Sequence, residues 1–287
     1  MVTTPAGYSP TFLPIPLPFP TLPAGRDVRV LPYVHFTVLQ DPVRRLPAAT
    51  GVNIDGKQLL DIERGDDWHL DPRIPASEQT GPAVYANNDL DRGHQVRRRD
   101  PVWGDTATAT AANLSTFAYT NCAPQAGEFN QSKELWAGLE DYVLDYARVY
   151  EQKISVFTGP VLDPGDPVYR GTGIPRQFWK IAAWTIAADD GQFELQATGY
   201  VLDQTPELTS TDLTEKAIAA GNPPPLGPYK TYQVSIRDIA ALTTLNLDQL
   251  AAADQLVPVP AARAEEPRAG WVPLVSRTDI RLDHAAD

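Results

Sequence analysis

The pattern of apolar and polar positions divides the chain into strand-forming runs, one long helical stretch and irregular margins. Ile154-Ser155-Val156-Phe157-Thr158-Gly159-Pro160 is rich in β-branched and aromatic residues and stops at Gly-Pro. Phe178 to Ala187 and Phe193 to Leu202 flank the turn Asp189-Asp190-Gly191 and predict two more strands. Upstream, Tyr33 to Leu39 and Ala48 to Ile54 surround a short basic turn at Arg44 and Arg45, an opening hairpin that Asp55-Gly56 closes off. His35, inside the first of these runs, reads as a core or edge histidine rather than a ligand. Together the runs imply an antiparallel sheet. The period changes between Lys133 and Tyr150, where Leu135, Leu139, Tyr142, Val143 and Tyr146 recur at helical spacing behind an N-cap at Asn130 or Ser132. Ile236 to Ala253 predicts one or two amphipathic helices, and Asn222-Pro223-Pro224-Pro225 a surface loop.

Composition changes this picture mainly at the ends. Of 28 prolines, many fall in the first 32 residues and in the tail. Proline removes a backbone donor and fixes φ, so residues 1–30 are expected to form a polyproline-type or coil lead that packs on the body or docks a regulatory partner. Residues 31–255 then form the main domain and 256–287 a tail. The apolar run Phe12 to Leu22 is broken by Pro14, Pro16, Pro18 and Pro20, and no basic segment precedes it. Neither a secretory signal nor a membrane span is expected, so the chain reads as soluble and cytoplasmic as encoded. The single cysteine, Cys122, excludes an internal disulfide framework and reads as a small buried hydrophobe.

Residues 61–90 hold few apolar positions, and a long irregular loop inside a domain is often functional. Immediately after it comes Asp91-Arg92-Gly93-His94. Some thirty residues on, Asn121-Cys122-Ala123-Pro124-Gln125 leads through Asn130 to Trp136-Ala137-Gly138-Leu139-Glu140. These two pieces resemble the signature of the DNA/RNA non-specific endonucleases, the ββα-metal (His-Me finger) family. Thr158-Gly159-Pro160, Ile174-Pro175, Phe178-Trp179-Lys180, Gln204 and Val234 to Ile239 extend the similarity over roughly residues 33–255.

The resemblance implies an α+β fold with a central antiparallel sheet flanked by helices, and a hydrolase that cuts phosphodiester bonds of DNA and RNA. His94 would be the general base, since an imidazole can take a proton from water near neutral pH. Gly93 would allow a tight turn that Asp91 and Arg92 hold, with Arg92 also beside the substrate. Asn130 would be the one direct protein ligand to Mg²⁺, or to Mn²⁺ in its place, and Glu140 would hold metal-bound waters. Arg64 and Asn121 match further active-site positions, while Gln125 and Trp136 read equally as packing residues. Homodimers are common in the family.

Two departures stand out. Asn130 and Glu140 are ten residues apart where the family spacing is eight, and two extra residues on a regular helix turn a side chain by about 200°. The insertion is therefore placed in Gln131 to Glu134, with Glu134 the competing carboxylate. Leu144 stands where the family often has an arginine, and Arg148 lies one turn further on. The net charge of -12 would repel a polyanion, so binding needs a local basic site. Arg92, Arg97, Arg98 and Arg99, with Arg64 and Arg73 upstream, are its candidates; Arg97 to Arg99 read equally as a solvated loop. The competing reading, favoured by the charge, Leu144 and the long spacing, is a catalytically weakened nucleic-acid- or partner-binding module that keeps the fold.

Overall fold

The computed structural model describes residues 6–126, 144, 147–149, 151–205, 211–226, 230–256, 270–275 and 279–280. Eight antiparallel strands form one sheet in the order β1 (Arg29–Pro32), β2 (Phe36–Asp41), β3 (Leu46–Asp55), β6 (Lys153–Pro160), β9 (Gln177–Ala187), β10 (Phe193–Asp203), β11 (Lys230–Val234) and β12 (Val272–Leu274). The remaining strands make two small ribbons. β4 (Leu90–His94) pairs with β5 (Cys122–Ala126), and β7 (Val168–Tyr169) with β8 (Thr172–Gly173).

The alternation along β6, β9 and β10 sends successive side chains to opposite faces, which gives the sheet two cores. Phe157, Trp179, Ile181 and Val201 join one. Ile236 and Ile239 of helix α4 (Ile236–Thr243) and Leu250 of α5 (Asp248–Ala252) cover it. Val156 and Ala182 point the other way, into a cluster with Val52, Ile54, Leu144 and Ala147. Beside it Phe178, Tyr200 and Leu202 pack on Ala123 of β5, so the β4–β5 ribbon sits on this second face.

The expected strands around Asp189-Asp190-Gly191 pair along their whole length, and Gly191 takes the left-handed φ of 78° that the turn requires. The opening hairpin also forms, but Tyr33 to His35 do not belong to its strand. They make a turn between β1 and β2, with His35 at φ 66°. Its imidazole stacks on Trp103 at 3.4 Å and its Nδ1 lies 2.8 Å from the Pro101 carbonyl. Two helices carry no apolar stripe strong enough to announce them. Helix α2 (Thr106–Ser115) is a Thr/Ala run whose N-cap, Asp105, accepts from the Thr108 amide, and α3 (Thr211–Ala219) is largely polar.

Between residues 6 and 28 the proline-rich lead forms no named strand or helix, yet several of its apolar residues belong to the body. Tyr8, Leu13 and Leu17 are buried in the first core, and the Tyr8 hydroxyl donates to the Leu17 carbonyl. The tail likewise contributes β12, where Thr231, Tyr232 and Gln233 pair with Leu274, Pro273 and Val272. Among the described residues no helix is long and apolar enough to cross a membrane.

Leu17 is 1% exposed. Leu17→Ala is expected to cost about 2–5 kcal/mol, as for other buried leucines, in urea denaturation; a loss below about 0.5 kcal/mol would mean the lead is a surface addition.

Candidate active site

The Asp91-Arg92-Gly93-His94 motif lies in the extended strand β4, with Asp91 opposite Gln125, Gly93 opposite Ala123 and His94 opposite Cys122. The tight turn expected at Gly93 is therefore absent. Glycine is needed for another reason: a Cβ at this position would overlap the Gln125 side chain, which lies across it. β5 is in turn stapled to the large sheet by Gln204, a fully buried residue. Its Oε1 accepts from the Ala126 amide at 3.0 Å, and its Nε2 donates to the Pro124 and Pro175 carbonyls at 3.4 and 2.6 Å. The ribbon that ends in His94 is thus fixed on the sheet by buried polar contacts as well as by Ala123.

Asn121 fixes the segment after His94. Its Oδ1 accepts from the Val96 amide at 2.9 Å, and its Nδ2 donates to the Val96 and Thr116 carbonyls, both at 3.0 Å. The side chain is wholly buried, and its amide is committed to backbone. Cys122 is buried beneath the Tyr85 hydroxyl, as its sequence reading implied, and burial pushes its thiol up to about 12.

The irregular loop 61–70 supplies the other wall. His69 bridges Ala118 in parallel: its amide donates to Phe117 O at 3.1 Å, and the Tyr119 amide donates to His69 O at 2.9 Å. This pins Trp68 in an aromatic cluster with Phe117 and Tyr119. The His94 ring lies 4.8 Å from Trp68, and 5.5 Å from Phe117 in an edge-on arrangement. Over Trp68 lies the Arg92 guanidinium, 5.1 Å from the ring centroid. Trp68 and Phe117 are the site residues that sequence reasoning missed. The only signal for them is that aromatic residues with no place in a periodic run need another surface to cover.

His94 is half-buried, and its Nε2 is enclosed with no hydrogen-bond partner among the described residues. Burial and then the positive charges of Arg64, Arg98 and Arg92 push its imidazole down from the ordinary 6.5 to about 3. The ring is therefore neutral over the physiological range, with an unprotonated nitrogen whose basicity burial and the arginines weaken.

The arginines form a graded set. Arg98 donates through Nη1 to Ile62 O at 3.0 Å and to Asn113 Oδ1 at 2.9 Å, tying its segment to loop 61–70 and to α2. Arg97 lies beside it, and Arg64 and Arg92 are exposed. Arg99 and Arg148 share Asp61. Arg73 stands apart: it pairs with buried Asp71 at 2.6 Å and covers Tyr33, so it braces the fold. Leu144 is 3% exposed in the second core, a place where an arginine would be costly to bury. Asn130, Glu134, Trp136 and Glu140 lie outside the described residues. Among those described, no three His, Cys, Asp or Glu side chains come together as a metal cluster.

Comparison with known proteins places these features in a family. A family model described as DNA/RNA non-specific endonuclease matches residues 17–254. An uncharacterized protein, y4fB, of Sinorhizobium fredii is 38% identical over 270 residues, covering 86% of this chain and 40% of its own length. Mitochondrial endonuclease G of Bos taurus is 30% identical over 152 residues, 49% of this chain and 47% of the relative. The chain thus spans less than half the length of these curated relatives. A solved complex of EndoG with EndoGI resembles the fold at a TM-score of 0.54 and 20% identity, over 79% of this chain and 86% of that one.

Because the folded-state value of His94 lies below its unfolded one, the unfolded chain binds more protons between about 3 and 6.5. Native stability should therefore fall as pH drops through that window, and His94→Gln should flatten the fall in denaturant titrations; an identical pH dependence in both proteins would contradict the enclosure. Asn121→Ala should cost at least about 1–3 kcal/mol, the penalty for stranding buried backbone groups, measured by urea denaturation.

Proposed function

The chain belongs to the DNA/RNA non-specific endonuclease family, and on that premise we propose that it hydrolyses phosphodiester bonds of DNA and RNA with His94 as general base. The observation that carries this reading is the neutral His94 imidazole held at a strand end among Arg64, Arg92 and Arg98. Hydrolysis needs a group that takes a proton from water, and positive charge where the phosphate gains negative charge. His94 supplies the first and the arginines the second. Trp68 supports Arg92 from below, which limits the orientations open to that guanidinium.

The same arginines couple binding to basicity. In the free protein they depress the imidazole, and a phosphate diester between them offsets their charge. The base should then strengthen when substrate arrives.

Asn130 would hold a divalent cation directly and Glu140 through water. An amide and a carboxylate oxygen are hard donors suited to Mg²⁺, and Mn²⁺ can substitute. Such a cation would supply charge neutralisation at the scissile phosphate and the leaving 3′ oxygen. Contacts made mainly to phosphate carry no sequence information, so cleavage should be non-specific and should leave 5′-phosphate ends. The fold neighbour was solved with its inhibitor bound, and an inhibitor that covers this arginine-lined site is the partner class this reading favours.

His94→Ala should lower cleavage on the order of 10²–10⁴-fold while leaving the unfolding curve intact; near wild-type cleavage would end the assignment. Plasmid and RNA should be degraded with Mg²⁺ and spared in EDTA, and the rate should fall steeply with salt. Binding without cleavage under every metal tested would favour the weakened module instead.

A further inference from the structure

Asp61 stands between two arginines that are distant in sequence. Arg99 Nη2 lies 2.5 Å from its Oδ1, and Arg148 Nη2 lies 3.3 Å from its Oδ2. All three side chains are substantially exposed, at 65% for Asp61, 36% for Arg99 and 50% for Arg148. One carboxylate thus presents each oxygen to a different guanidinium, the arrangement in which two arginines would hold the non-bridging oxygens of a phosphate diester. Arg148 and Arg99 hold the Asp61 carboxyl below the usual carboxylate range, so the anion is present at any working pH.

The pair is connected to the site already described. Arg99 follows His94 by five residues, which caps the separation of their Cα atoms at about 18 Å. At ~3.4 Å of rise per nucleotide, that is within about five nucleotides of the scissile bond on one strand. Arg98 lies between them and feels the charge of both Arg99 and Arg64.

We propose that Arg99 and Arg148 form a phosphate subsite for the nucleic-acid strand a few nucleotides from the cut, and that Asp61 occupies it in the free protein as a competing anion. This rests on the nuclease reading and extends it to how a chain of net charge -12 binds a polyanion. Exposed ion pairs contribute little to stability, so the carboxylate is a weak competitor that phosphate displaces at small cost. The competition discriminates by length: a strand with several phosphates displaces Asp61, whereas a substrate too short to reach the pair does not.

The test is binding of a fluorescein-labelled single-stranded oligonucleotide, followed by anisotropy in EDTA so that no cleavage intervenes, over a salt series. Asp61→Asn should bind about two- to fivefold tighter, and Arg99→Gln weaker, with its salt slope reduced by about 0.7 for one lost phosphate contact on a single strand. In the Arg99→Gln background the gain from Asp61→Asn should shrink, and with Arg148→Gln added it should vanish. Glu63→Gln removes a neighbouring exposed acid without touching the pair and should leave affinity close to wild type. Equal tightening by Glu63→Gln, no tightening by Asp61→Asn, or a full gain that survives loss of both Arg99 and Arg148 would each overturn the subsite. If the wild-type protein spared plasmid and RNA with Mg²⁺ as well as in EDTA, the nuclease reading would fail and the subsite with it.

Discussion

The structure depends on the seating of a two-stranded ribbon on the second face of a large sheet. Ala123 packs the ribbon against Phe178, Tyr200 and Leu202, and Gln204 joins β5 to the Pro175 carbonyl. Neither contact alone would orient a side chain at the ribbon's tip. Together with the Asn121 clamp on Val96 and Thr116, they leave His94 one place to go, against Trp68 and Phe117. A buried polar network of this kind is stabilising only when it is complete, and around Asn121 and Gln204 each side-chain amide meets backbone partners. The strand that carries His94 is therefore positioned by buried polar side chains bonded to backbone.

On the proposed reading, local charge rather than net charge meets the polyanionic substrate. The net charge acts through a field that salt screens within about 10 Å, whereas Arg64, Arg92 and Arg98 act on His94 at close range in a partly desolvated site. Arg73, equally basic in sequence, contributes nothing there because Asp71 neutralises it in a buried pair beneath Tyr33. The difference between the arginines lies in which anion each one meets, a matter of tertiary contact rather than residue type.

This also marks how far the sequence could be read. The long strands around Asp189-Asp190-Gly191 were legible because two strand-forming runs flank a turn signal, and His94 was singled out by its motif. Gly93 was misread as a turn because glycine so often punctuates the chain; here it makes room for Gln125. Trp68 was missed. It meets His94 through a single parallel bridge between His69 and Ala118, and an isolated bridge leaves no periodic trace. The lead was read as coil from its prolines, and residues 6–28 hold no named strand or helix, but Tyr8, Phe12, Leu13, Leu17, Phe19 and Leu22 pack into or against the first core. Helix α2 escaped notice because threonine and alanine alternate without an apolar stripe, leaving only Asp105 as a start signal.

The central claim is that His94 is held neutral by burial and by arginine charge, and that a phosphate chain relieves the second of these. The most direct measurement is an NMR titration of the His94 imidazole in the metal-free protein, alone and with a hydrolysis-resistant phosphorothioate oligonucleotide. The account predicts a midpoint far below the ordinary 6.5 in the free protein, toward about 3, and a rise when the oligonucleotide binds. A midpoint near 6.5 that the oligonucleotide does not move would contradict it.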